Sequence, residues 1–150
     1  MFSRTNLLDG LNNNLRGFYS YIKKDIEPKL YQLEGFENFV FFGEWLVSHT
    51  VKYNKECYNK WYMYDIWDKT TENYLPQKIV KDFCKTTNLN YIEVLYNGPF
   101  ISWEHCRSFL HKSTAYGQNQ EGIVIKNQTK LNRVDIRYPK YLKIVNDEFV

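Results

Sequence analysis

Nine consecutive residues, Phe39-Val-Phe-Phe-Gly-Glu-Trp-Leu-Val47, constrain this chain more than any other stretch. Aromatic and branched side chains occupy all but two of the positions. Such a run suits a pleated strand far better than a helix. A period of two puts Phe42, Glu44 and Leu46 on one face, and Phe41, Gly43, Trp45 and Val47 on the other. Glu44 in so apolar a strand needs a partner or a ligand, unless the strand is an edge that leaves it in water. Gly43 leaves room for a ligand to approach the backbone. A second aromatic run, Trp61-Tyr-Met-Tyr-Asp-Ile-Trp67, again carries one acid. Alternation groups Met63, Asp65 and Trp67 on one face, and Tyr62, Tyr64 and Ile66 on the other. Tyr64 either packs within the sheet or stacks on a base, with Asp65 then meeting a polar edge or a metal-bound water.

Two later runs repeat this pattern of isolated charge. Glu121-Gly-Ile-Val-Ile-Lys126 reads as a short strand with a carboxylate and an amine at its ends. The carboxylate suits a divalent cation, and the amine suits a phosphate or a paired acid. In the closing strand-like run Arg137-Tyr-Pro-Lys-Tyr-Leu-Lys-Ile-Val-Asn146, with Phe149 after it, Tyr141, Lys143 and Val145 share a face. Lys143 among apolar neighbours must snorkel, pair or meet a phosphate. Arg4, in a turn-like amino-terminal stretch, either reaches a phosphate or sits in solvent.

Helices fill the gaps. Phe18, Tyr21, Ile22 and Ile26 fall at helical spacing, and Pro28 interrupts that helix or starts another. Pro76 opens a helix with Ile79, Val80 and Phe83 inward. Tyr91 to Tyr96 reads as a strand, and Ile101 to Leu110 as a helix burying Trp103, Cys106 and Phe109 or Leu110. Strands with helices between them define an α+β class with mostly antiparallel sheet. One hundred and fifty residues form one domain with a sizeable core. The net charge of +3 permits nucleic-acid binding without demanding it. The three cysteines show no CxxC, which fits reduced thiols in a cytoplasmic setting, and the three histidines add no zinc-ligand spacing. No run is apolar for long enough to span a membrane, so no membrane partner is expected.

Taken together, the segments resemble the nucleotidyltransferase domain of ATP-dependent RNA ligases, in particular the RNA ligase 2-like group of bacteriophages. Phe42-Gly43-Glu44-Trp45 with His49-Thr50 and Tyr53 is similar to the family's third motif. Tyr62-Met-Tyr-Asp-Ile66 resembles the aromatic-Asp motif after it, Glu121 to Lys126 the fourth motif, and Leu142-Lys143-Ile-Val-Asn146 with Phe149 the fifth. The resemblance implies a partial nucleotidyltransferase domain over residues 1–150, ATP-grasp-like, with mostly antiparallel sheets and flanking helices. It implies ATP and Mg2+ (or Mn2+) as cofactors and RNA ends as partners, in a bacterial host cytoplasm if phage-encoded. It implies that Glu44 binds the ribose, Tyr64 stacks on adenine, and Lys143 contacts the α-phosphate. Glu121 and Asp65 would serve the metal, Asp65 and Lys126 the nucleotide, and Glu121 and Lys143 the chemistry. Arg4, His49 and Lys52 would meet nucleic acid. The reaction implied is lysine attack on ATP, transfer of AMP to an RNA 5′-phosphate, and sealing by a 3′-hydroxyl.

Two departures follow. Val145 stands where many members carry a second lysine. The nucleophile's pattern, Lys-x-Asp-Gly, is absent: Leu7-Leu-Asp9-Gly10 has leucine at the reacting position. Leucine cannot form the phosphoramidate. The stretch before Phe18 looks more like the segment that follows the nucleophile. The expectation is therefore a truncated or split adenylyltransferase, completed by a separate upstream fragment, or else a non-catalytic nucleotide- or RNA-binding relic.

Overall fold

The strongest local preference, the pairing of two aromatic strands, sets the architecture. In the computed structural model, residues 1–3, 7–10, 15, 17–118, 120–128 and 141–147 are described. Arg4, the run 137–140 and Phe149 lie outside them. Strand β1 (Phe39–Leu46) pairs antiparallel with β2 (Lys60–Asp68), from Phe39 opposite Asp68 to Leu46 opposite Lys60. Strand β3 (Asn73–Tyr74) returns antiparallel on β2, and β4 (Asn90–Tyr91) runs parallel to it. These make one four-stranded sheet; β5 (Gly122–Lys126) and β6 (Tyr141–Val145) form a separate antiparallel ribbon. The fold is thus α+β, as composition and periodicity indicate, with one parallel pairing among antiparallel ones.

The turn between β2 and β3 is built by Asp68. Its carboxylate accepts from the Thr70 amide (2.8 Å), the Thr70 hydroxyl (2.6 Å) and the Thr71 hydroxyl (2.9 Å). This is an aspartate-centred turn. The hydrogen bond from the Thr70 hydroxyl leads in holding the Asp68 carboxyl below its ordinary range.

The amino-terminal helical stretch runs through α1 (Phe18–Tyr21), a π-helical turn (Ile22–Ile26) and α2 (Glu27–Leu30). Phe18, Ile22 and Ile26 are buried at a spacing of four. Pro28 lies in the first turn of α2, a further short helix that begins there, as the second of the two expectations has it. Its ring would crowd the carbonyl of Lys24, and the wider turn just ahead relieves that clash. Helix α3 (Gln77–Thr87) buries Val80, Cys84 and Thr87. Ile79, expected inward, is 47% exposed, because the buried stripe follows the spacing of Val80 and Cys84 instead. Asn88, in the left-handed conformation at φ 54°, stops the helix.

The main core joins Phe18, Ile22, Ile26, Trp61, Met63, Ile66, Val80, Cys84 and Leu89. Phe39, Phe41 and Trp45 of β1 pack against it. Burying one such side chain contributes about 1.5–3 kcal/mol. A smaller cluster of Leu46, Cys57 and Tyr62 lies apart from it.

Two expectations shrink. The strand foreseen over Tyr91 to Tyr96 is only β4, since pairing with β2 ends at Tyr91. The helix foreseen over Ile101 to Leu110 is α4 (Trp103–Arg107), capped by Ser102, whose hydroxyl accepts from the His105 amide at 3.0 Å. Leu110 is buried, but Trp103 is 48% exposed. Among the described residues, no helix is long and apolar enough to cross a membrane.

Candidate functional site

A break in strand alternation creates the site. Phe42 faces Asp65 and Gly43 faces Met63, so the register skips Tyr64. This is a β-bulge, and it inverts the phase of β2 beyond it. Ile66 joins Trp61 and Met63 in the core. The grouping of Ile66 with Tyr62 and Tyr64, expected from a strict period of two, is corrected by this one extra residue. Tyr64 and Asp65, adjacent in sequence, both meet the β5–β6 ribbon. The Lys126 ammonium lies 5.4 Å from the Tyr64 ring centroid and 3.6 Å from the Asp65 carboxylate. Phe42 stacks on Tyr64 at 6.4 Å between centroids.

Asp65 is 1% exposed, so its charge requires several donors. Gln77, the first residue of α3, donates to it at 2.8 Å, and the Tyr141 hydroxyl of β6 donates to its other oxygen. Lys126 also donates to the Tyr64 carbonyl at 2.8 Å. Burial pulls the Lys126 ammonium below the ordinary lysine value, and Asp65 opposes that pull. Burial, then the hydrogen bond to Asp65, pushes the Tyr141 phenol far above its ordinary value.

The other end of the ribbon is wetter. Glu121, just before β5, pairs with Lys143 of β6 at 2.7 Å, with both side chains about half exposed. The main chain of Glu121 is held by the Asn146 amide at 2.7 Å. A Cβ added at Gly122 would stand 3.0 Å from the Val145 Cα and closer still to the Ile144 carbonyl, so this close crossing needs glycine. Tyr53, from the loop between β1 and β2, lies close enough to Glu121 to feel its charge. Burial, and then the charges of Glu121 and Glu44, raise its pKa. Glu44 is itself exposed on β1.

The expected residues therefore gather into two groups. Tyr64, Asp65 and Lys126 form one; Glu121 and Lys143 form the other, and Glu44 is linked to Glu121 through the charge that both exert on Tyr53. The two carboxylates expected to share a cation, Glu121 and Asp65, are not brought together. Asp65 pairs with Lys126 at the far end of β5, whereas Glu121 precedes its start and pairs with Lys143. Among the described residues, no three His, Cys, Asp or Glu side chains gather as a metal cage. The donor set at Glu121 still suits Mg2+, which is commonly held by one or two carboxylates together with substrate phosphates and water.

His49 and Lys52 are exposed in the loop after β1. Lys52 donates to the His49 carbonyl at 3.0 Å, and His49 meets Tyr53 edge-on at 5.8 Å. Gly43 does not open the backbone to a ligand. A Cβ there would lie 2.5 Å from Trp61 Cζ2, so the indole already fills that space. Sequence reasoning missed Gln77 and Tyr91 as parts of the site, and named Tyr53 within the third motif without giving it a role. Tyr141 carried a signal, its shared face with Lys143. Gln77 carried none beyond its place after Pro76.

No curated protein and no solved structure matches the chain significantly. The family model described as RNA ligase matches residues 1–145, nearly the whole length, and on that match the chain belongs to the RNA ligase family.

Proposed function

We propose that the face between the four-stranded sheet and the β5–β6 ribbon is an adenine-nucleotide site of RNA ligase 2-like type. The observation that carries the reading is the pairing of one aromatic, dry end with one charged, wet end. Tyr64 with Lys126 beside it offers a ring for adenine. Glu44 lies on the same strand face as Phe42 and serves the ribose. Lys143 meets the α-phosphate, and Glu121 holds Mg2+ or Mn2+. Bound there, the cation supplies charge neutralisation at phosphorus. Asp65 acts on the nucleotide through the residues it holds, Lys126 above all. His49 and Lys52 meet the RNA ends whose 5′-phosphate and 3′-hydroxyl are joined, and Arg4 is assigned to the same contact from its sequence alone.

The step that makes the enzyme-adenylate forms a bond between a lysine nitrogen and the α-phosphorus and releases pyrophosphate. It needs that amine held in line, since a misplacement of about 1 Å can cost about a hundredfold in rate. No lysine of these 150 residues stands in a Lys-x-Asp-Gly setting, and Leu7 holds the corresponding place. Lys126 and Lys143 are already committed to partners. Covalent adenylylation therefore requires a lysine from a separate segment. The alternative is a relic that binds nucleotide or RNA without chemistry.

Calorimetry with ATP and Mg2+ tests the site; no heat from the parent protein would remove it. Incubation with α-labelled ATP and denaturing electrophoresis tests the chemistry. The expected result is no label on this chain, and label on an added Lys-x-Asp-Gly fragment. Stoichiometric, acid-labile label on a lysine of this chain alone would refute the split reading. Nucleotide binding with no label under either condition favours the relic.

A further inference from the structure

We infer that Gln77 is a positioning residue of the nucleotide site, setting Tyr64 and Lys126 without touching the nucleotide. The inference rests on the proposed adenine site. Its basis is how fully the Gln77 side chain is used. One amide of this kind offers two donors and one carbonyl acceptor. Nε2 donates to the Asp65 carboxylate at 2.8 Å and to the Tyr64 carbonyl at 3.1 Å. Oε1 accepts from the Tyr91 hydroxyl. The Gln77 main-chain amide donates to Gln128 Oε1 at 2.9 Å, two residues beyond the end of β5. One residue thus ties the start of α3 to β2, β4 and the far end of β5.

The tie lies at the bulge. Tyr64 is the residue skipped in the register with β1, and its carbonyl is taken by Gln77 and Lys126 together. A bulge without such partners can relax to another register. The orientation of the amide is set in turn by Tyr91, whose phenol burial has pushed up to about 12, so it remains a donor at neutral pH. Gln77 therefore fixes which way the Tyr64 ring faces and where Lys126 ends. It has no direct reach to the phosphate end, where Glu121 pairs with Lys143.

The test compares ATP with inorganic tripolyphosphate, each with Mg2+, by calorimetry. The proteins are the parent, Gln77→Leu, Tyr91→Phe and the surface control Lys81→Ala. The expected result is that Gln77→Leu weakens ATP about tenfold, within the range of one base-stacking contact. Tripolyphosphate binding stays unchanged, and Tyr91→Phe shifts ATP less in the same direction. Equal weakening of both ligands would overturn the inference, because it would make Gln77 a general fold residue. No weakening of ATP would overturn it as well. If the parent binds neither ligand, the nucleotide reading fails separately. Hydrogen exchange in the Gly122–Lys126 peptide then decides the positioning role. Faster exchange in Gln77→Leu and Tyr91→Phe, but not in Lys81→Ala, supports it; unchanged exchange overturns it.

Discussion

Replacing Gly43 with alanine separates two reasons for a glycine beside the only acid of β1. The new Cβ would lie 2.5 Å from Trp61 Cζ2 and Nε1, where an ordinary contact begins at 3.4 Å. The indole must therefore move by about 1 Å. It has little room to do so, being 5% exposed in the same cluster as Met63, Ile66 and Val80. Overpacking of this kind costs about 1–3 kcal/mol. The backbone at Gly43 lies outside the left-handed region, so alanine regains about 0.4–1 kcal/mol by restricting the unfolded chain. Taking the middle of each range, the net loss is about 1.3 kcal/mol (outer limits about 0 and 2.6), or a fall in Tm of about 3–5 °C for a chain of this length. Urea unfolding of the parent, Gly43→Ala, Trp61→Leu and the double variant measures it. The alanine should cost less once Trp61 is leucine, giving a coupling energy of about 1 kcal/mol. A Gly43→Ala protein as stable as the parent would refute the packing argument. Unchanged stability with weakened ATP binding would return the glycine to the ligand.

The remaining predictions concern the site itself. Lys143→Ala should change unfolding free energy by less than about 1 kcal/mol, since the Glu121 pair is half exposed, yet weaken tripolyphosphate binding clearly in calorimetry. Tyr64→Phe should keep ATP affinity within about twofold, whereas Tyr64→Ala should lose about 1–3 kcal/mol of it. Asp65→Ala should destabilise by about 3–5 kcal/mol in urea, because Lys126 would be left buried without its carboxylate. The alkaline limb of stability follows from Tyr91 and Tyr141, whose folded pKa values are raised. Their stabilisation is complete below the unfolded value near 10 and is lost as pH climbs through the folded values. Tyrosinate absorbance should show a late class that ionises together with unfolding; one smooth transition near 10, with the fold intact, would contradict this.

What could be read from the chain was whatever depends on local pattern. Phe39 to Leu46 and Trp61 to Trp67 are strands because aromatic and branched residues leave few alternatives, and both charged runs, at Glu121 and Lys143, fall on the ribbon. The face assignment of β1 holds, with Phe41 and Trp45 inward and Leu46 in the second cluster. It fails in β2 at Ile66, because a bulge is decided by what the neighbouring elements offer to a displaced carbonyl. That offer comes from Gln77 and Lys126, which lie 13 and 62 residues away. Tyr91 to Tyr96 looked like a strand because apolar alternation does not reveal whether an edge is available to pair with. Trp103 was expected inside since helical spacing says which residues share a face, not whether anything covers that face.

The bulge also determines which deletion β2 bears best. A substitution in this strand alters one side chain and leaves every other in place, whereas a deletion moves everything on one side of it by one position. Deleting Tyr64 is the exception. Met63 already faces Gly43 and Asp65 already faces Phe42, so removing the residue between them leaves a regular ladder with Met63 and Ile66 still in the core. A scan of single-residue deletions along Lys60–Asp68 should show its smallest loss of folded protein at residue 64 and a growing loss towards either end of the strand, where a deletion turns core side chains to the other face. In alignments of related chains, a one-residue gap at this point marks a lost bulge with the strand faces kept, not a shortened loop.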